Sequence, residues 1–85
     1  MRNNIAILGS SGSIGKTLLQ LIRNKKKNFN IHVLTADKNY KLLFKQAKEF
    51  NVKNLIIRNK ESYEILKSKT INTDIRVYQN FKSFN

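Results

Sequence analysis

Apolar positions along this chain fall alternately into short unbroken runs and into stripes with helical spacing. Residues 4–8, built on Ile5-Ala6-Ile7-Leu8, are apolar without alternation, which predicts a short strand buried on both faces. From 14 to 24 the apolar positions are Ile14, Leu18, Leu21 and Ile22, with Leu19 alongside. Steps of four, three and one trace one face of a helix. Ser13 suits its N-cap, and Arg23 with the lysines after it suits the negative end of the helix dipole. A second strand is expected over 29–35 on Ile31, Val33 and Leu34.

The pattern then repeats. Over 40–50, Leu43, Ala47 and Phe50 recur at four and three, Leu42 and Phe44 widen the face, and Lys45, Lys48 and Glu49 stand outside it. Asn39 is placed to cap this helix. Leu55, Ile56 and Ile57 make a third strand within 54–58. A weaker third helix is expected over 60–69, with Tyr63 and Leu66 inward and Ile65 a candidate to join them. Residues 75–78 read as a short fourth strand, and 79–85 carry no clear element. The order β-α-β-α-β-α-β predicts an α/β fold, an open parallel sheet with helices packed across it.

Eighty-five residues hold at most one small domain. A complete doubly wound dinucleotide fold has about six strands, so the chain has room for roughly its first half. With no cysteine, neither disulfides nor thiolate metal sites can form. The N-terminal apolar run is broken at once by glycine and serine, unlike a secretory leader. No stretch approaches the roughly 20 apolar residues that span a bilayer. A soluble, cytoplasmic protein without a membrane partner is expected.

The net charge of +12 raises the possibility of a nucleic-acid partner. The basic residues are scattered lysines among a dozen asparagines, and arginine stands only at 2, 23, 58 and 76. A dedicated nucleic-acid surface would concentrate arginines and aromatics on one face, so the solvated-surface reading is favoured. Lys25-Lys26-Lys27, the densest cluster, falls in an expected loop.

The chemistry lies where the first strand meets the first helix. Glycines stand at 9, 12 and 15 in Gly9-Ser10-Ser11-Gly12-Ser13-Ile14-Gly15, between a strand and a helix. Such a turn presents backbone N–H groups and a helix N-terminus to a phosphate. The G-x-x-G-x-x-G spacing differs from the G-x-G-x-x-G dinucleotide fingerprint, but its context of strand, turn, helix and strand is the required one. Gly9 would make the tight exit from the strand, Gly12 would admit the pyrophosphate, and Gly15 would let the helix approach the sheet. Gly15-Lys16-Thr17 also ends like a P-loop, yet position 10, where that motif needs its first glycine, is serine. A turn that binds nothing is the third reading.

Some 20 residues after such a turn, the end of the second strand meets the adenosine ribose. Here that stretch is Thr35-Ala36-Asp37-Lys38-Asn39. Asp37 could accept from the ribose hydroxyls, as in NAD sites, whereas Lys38 could hold the 2′-phosphate of NADP. The two cues oppose each other. Asp37 and Asn39 also fit plain turn and cap residues.

The string Leu8-Gly9-Ser10-Ser11-Gly12-Ser13-Ile14-Gly15 closely resembles the L-G-S-T-G-S-I-G opening of the 1-deoxy-D-xylulose 5-phosphate reductoisomerases. The resemblance continues at Thr17-Leu18, Phe29, Ala36-Asp37-Lys38-Asn39 and Gln46-Ala47-Lys48-Glu49-Phe50. It implies an NADPH-binding, Rossmann-like domain. Ser11, Gly12, Ser13 and Ile14 would lie against the cofactor phosphates, with Asp37, Lys38 and Asn39 at the adenosine end. Together with Gly9 and Gly15 these are the expected cofactor-binding residues. The chain departs from the family in carrying an acid at Asp37, where relatives often have glycine, and serine for threonine at Ser11.

The resemblance also implies what this stretch would lack. The family is several hundred residues long, and its Mg²⁺ or Mn²⁺ ligands, sugar-phosphate site and lid would lie beyond residue 85, as would any catalytic residue. Asn59-Lys60-Glu61 spells a family N-K-E segment but comes too early in the chain. Lone His32 is expected to face outward from its strand. The expectation is therefore an N-terminal half of a doubly wound sheet. Residues 1–78 would belong to an NAD(P)-binding domain and 79–85 would be a truncated tail, without turnover alone. The full-length family would be a homodimeric oxidoreductase of isoprenoid biosynthesis that forms 2-C-methyl-D-erythritol 4-phosphate. A stand-alone nucleotide-binding module and a basic nucleic-acid-binding protein remain as alternatives.

Overall fold

The computed structural model describes residues 3–9, 12–23, 29–80 and 82. Strands β1 (Asn3–Ile7), β2 (Phe29–Ala36), β3 (Asn54–Ile57) and β4 (Arg76–Tyr78) alternate with helices α1 (Ser13–Arg23), α2 (Tyr40–Phe50) and α3 (Lys60–Lys69). The strands form one parallel sheet in the order β1-β2-β3-β4. The parallel α/β fold read from the pattern is therefore the fold the chain has. The expected elements are all present, with bounds shifted by a residue at most.

Helix α2 lies beside both its neighbours, so the three helices share one face of the sheet. It shares a groove with α1, lined by Leu19, Gln20, Leu42 and Gln46 among others, and it packs against α3. Leu34 is the centre of the core beneath them. It pairs with Ile7 on one side and Leu55 on the other, and all three are at most 3% exposed. Leu43, Ala47 and Leu66 close over these strands from α2 and α3. One residue is inserted in β2 opposite the Ile5–Ala6 step of β1. Ile31 and Leu34 consequently both join the helix-side cluster, although three positions separate them.

Helix α1 corrects the expected face. Gly15, Leu19 and Ile22 are buried, at steps of four and three, whereas Leu18 and Leu21 are 44% and 65% exposed. The helix carries apolar residues on two adjacent faces, so periodicity alone does not choose between them. Gly15, silent in any hydrophobic count, is buried on the same face as Leu19 and Ile22. The side chain of Ile14, counted in that expected face, lies outside the described ones. Ser13 is also displaced from its expected cap position: it is the first helical residue. Gly12 precedes it as the cap, accepting at its carbonyl from the Lys16 N–H at 2.9 Å. Ile65, the third inward candidate of α3, is 40% exposed, while Leu66 is fully buried.

The other caps fall where side-chain chemistry puts them. Asn39 Oδ1 accepts from the Leu42 N–H at 3.2 Å, and Asn59 Oδ1 from the Ser62 N–H at 3.0 Å. The first asparagine of the N-K-E string is thus the N-cap of α3. Asn59→Ala is expected to lower stability by about 1 kcal/mol, read from urea unfolding monitored by circular dichroism. Helix α2 ends at Asn51, whose φ of 56° lies in the left-handed region that asparagine tolerates. The Val52 N–H bonds back to the Ala47 carbonyl at 2.9 Å, and Val52 is buried as the chain turns toward β3.

Among the described residues, two ion pairs tie the surface together. Arg23 of α1 binds Glu49 of α2, and its guanidinium lies 5.8 Å from the centre of the Phe50 ring. The hydrogen bond and the charge of Glu49 raise the Arg23 pKa further above its already high value. Lys53 Nζ lies 2.8 Å from Asp74 and, by hydrogen bonding, holds that carboxyl below the usual range. Both pairs are exposed, so they align elements more than they stabilise them.

Candidate functional site

Because the sheet is parallel, its strands all end at one edge, and the candidate residues collect there. Gly9 leaves β1 with φ of 65°, a left-handed conformation that any L side chain would strain. Its N–H donates to Thr35 Oγ1 at 2.8 Å, and its carbonyl accepts from the Gly12 N–H at 2.9 Å. A Cβ on Gly12 would come within 3.3 Å of that same carbonyl. The turn is therefore held by its own hydrogen bonds, and the N–H groups of Gly9 and Gly12 are both used in shaping it.

The next backbone donors come one step later. Lys16 is the first residue of α1 to bond back along the helix, so the backbone N–H groups of Ser13, Ile14 and Gly15 precede the first intrahelical bond. They carry the positive end of the helix dipole toward the same sheet edge. Gly15 is buried. Ser11 lies outside the described residues, as do the side chains of Ser13 and Ile14.

The second group, Asp37, Lys38 and Asn39, follows β2 at the same edge, and all three are exposed. Asn39 has its Oδ1 committed to the α2 cap, so only its amide NH₂ is available to a ligand. Between the glycine turn and this loop lies a cleft of about 510 Å³, lined by Leu8, Gly9, Thr35, Asp37, Ile56 and Arg58 among others. Leu8, expected to close β1, instead stands in the turn at the cleft, 64% exposed. The structure brings Gly9 and Asp37 onto one cavity although 28 positions separate them in sequence.

Some lining residues have roles that the sequence did not assign. Thr35, read only as the start of the stretch that meets the ribose, is buried in β2 and locks the glycine turn. Arg58 directly follows β3, and its N–H donates to the Ala36 carbonyl at 3.2 Å. Asn80, past the last strand, returns to the cleft beside Ile56. Nothing in a string of residues without periodicity announces that return.

His32 is exposed, as expected, and its backbone carbonyl accepts from Asn54 Nδ2 at 3.2 Å. Among the described residues, no group of three or more His, Cys, Asp or Glu side chains could hold a metal ion. No described helix is long and apolar enough to cross a membrane.

The family model for 1-deoxy-D-xylulose 5-phosphate reductoisomerase matches residues 5–83. The chain belongs to this reductoisomerase family. A reductoisomerase of Pelagibacter ubique is 49% identical over 81 residues, which are 95% of this chain and 21% of that protein. The Acetivibrio thermocellus protein of the same name is 43% identical over 77 residues, 91% of this chain and 20% of its own length. The chain thus spans about a fifth of the curated relatives it matches.

The same likeness holds in three dimensions. The reductoisomerase from Zymomonas mobilis in complex with NADPH matches with a TM-score of 0.85 and 29% identity, over 92% of this chain and 21% of that one. A reductoisomerase structure in complex with NADPH, fosmidomycin and magnesium matches with a TM-score of 0.86 and 27% identity, over 98% and 20%. The parallel sheet is therefore the Rossmann-like sheet of this family.

Proposed function

We propose that this reductoisomerase segment binds NADPH at the edge where the strands end. The observation that carries the reading is a self-supporting glycine turn that leaves the Ser13, Ile14 and Gly15 N–H groups ahead of the first helical bond, beside a cleft of about 510 Å³. That arrangement suits an anion: backbone donors and the positive end of a helix dipole. The diphosphate takes those N–H groups, with Ser11 beside them. Gly9 and Gly12 give the turn its shape, and Gly15 seats the helix. Asp37, Lys38 and the amide of Asn39 receive the adenosine end.

NADPH, when bound, supplies hydride for reduction of the rearranged sugar phosphate. The residues of this segment hold and orient it. Metal, substrate phosphate and the reacting carbons belong to the remaining four-fifths of the family's length, and turnover requires that part. Residues 1–78 are accordingly the opening part of the cofactor domain.

Ligand-linked unfolding tests this. A ligand at 100 times its Kd stabilises by about 2.7 kcal/mol, which for a domain of this size raises Tm on the order of 10–20 °C. NADPH is expected to raise the Tm of the 85-residue chain with saturating concentration dependence. An unchanged Tm up to millimolar NADPH refutes the assignment.

A further inference from the structure

The cleft beside Gly9 contains one carboxylate, Asp37, and NADPH would bring a phosphate on its adenosine ribose toward that carboxylate. A dianion beside an aspartate is repelled unless more than one positive charge faces it. Lys38 is adjacent in sequence, but it is exposed and acts as a hydrated point charge on a flexible stem. Another cation is needed for the cleft to prefer a phosphorylated ribose.

Arg58 meets that need. It is the first residue after β3, the strand next to β2, and the ladder between them continues past the strand ends. The Arg58 N–H donates to the Ala36 carbonyl at 3.2 Å and the Asn59 N–H to the Asp37 carbonyl at 2.8 Å. These bonds hold the backbone of Arg58 alongside that of Asp37, and both residues line the same cleft. Among the described residues, neither Arg58 nor Asp37 is in an ion pair, with the other or with a third group. Arg58 is exposed, so its five donors are open to a ligand. A planar guanidinium grips a phosphate through two parallel hydrogen bonds, which a lysine cannot do.

We infer that Arg58 is the residue that sets the preference for NADPH over NADH in this segment, by binding the adenosine 2′-phosphate against the repulsion of Asp37. The inference rests on the NADPH reading above and assigns one of its specificity determinants.

The experiment is calorimetric titration of the 85-residue chain with NADPH and with NADH, using wild type, Arg58→Gln and Arg58→Lys. Circular dichroism melts of each variant check that the exposed substitution leaves the fold intact. In Arg58→Gln the Kd for NADPH is expected to rise at least tenfold while that for NADH moves less than twofold. Arg58→Lys, which keeps the charge but not the fork, should fall between wild type and Arg58→Gln in its preference. Equal weakening of both cofactors, or an unchanged ratio, overturns the role of Arg58 while the binding site stands. A wild-type chain that binds neither cofactor overturns the parent reading together with this one.

Discussion

Leu34→Ala is expected to lower the urea midpoint of this chain far more than truncation of an exposed leucine does. Leu34 is fully buried at the middle of the sheet, between Ile7 and Leu55 and under the three helices. Truncating a leucine in such a place costs about 2–5 kcal/mol, the lost transfer free energy plus the cavity left behind. An 85-residue domain has roughly 4–13 kcal/mol in total, so the change removes a large share of it. The cost should sit toward the upper end, because hydrogen-bonded strands on both sides prevent the walls from collapsing into the space. Urea unfolding followed by circular dichroism reads the effect as a lower midpoint at unchanged m-value. Leu21→Ala serves as the contrast: Leu21 is 65% exposed, and a loss under about 0.5 kcal/mol is expected there. Equal losses at the two positions would show that the inner face of α1 and the core beneath it have been misassigned.

The second large effect is at Gly9. Its φ of 65° is unfavourable for any L residue and worst for a β-branched one, at about 1–3 kcal/mol. Among the described residues beyond its chain neighbours, no atom lies within 4 Å of where a Cβ would stand, so the penalty there is one of backbone conformation. Gly9→Val is expected to relax by turning the peptide. That breaks the bonds to Thr35 Oγ1 and to the Gly12 N–H, and displaces the start of α1 with its N–H donors. The Tm should fall, and the rise produced by NADPH should disappear. Gly9→Asn separates conformation from size, since asparagine enters the left-handed region at modest cost. It should retain most of the NADPH effect; loss in both variants would mean that bulk at the cleft, and not turn shape, is what matters.

Much of the molecule was legible without coordinates because the helices and strands are patterned by different periods. The strands built on Ile31-His32-Val33-Leu34 and Leu55-Ile56-Ile57, and helix α2 with its Asn39 cap, could be read residue by residue; β1 was expected to be buried on both faces, but it lies at the end of the sheet order with Ala6 exposed. The glycine spacing located the turn, and the resemblance carried by Leu8 to Gly15 located the family. What could not be read was which of two apolar stripes on α1 faces inward. Leu18 and Leu21 are as hydrophobic as Leu19 and Ile22, and only the packed structure shows that Leu19 and Ile22 join the core.

Local chemistry, then, dictated the elements, their order and the donors that a helix start must expose, since propensity, capping and hydrophobic period act over a few residues. The folded arrangement alone decided that Thr35 locks the glycine turn, that Arg58 stands beside Asp37, and that Asn80 closes the cleft. Those partners lie 26, 21 and more positions apart in the chain. Their meeting is set by strand register and by the common edge of a parallel sheet, which no short stretch of sequence encodes.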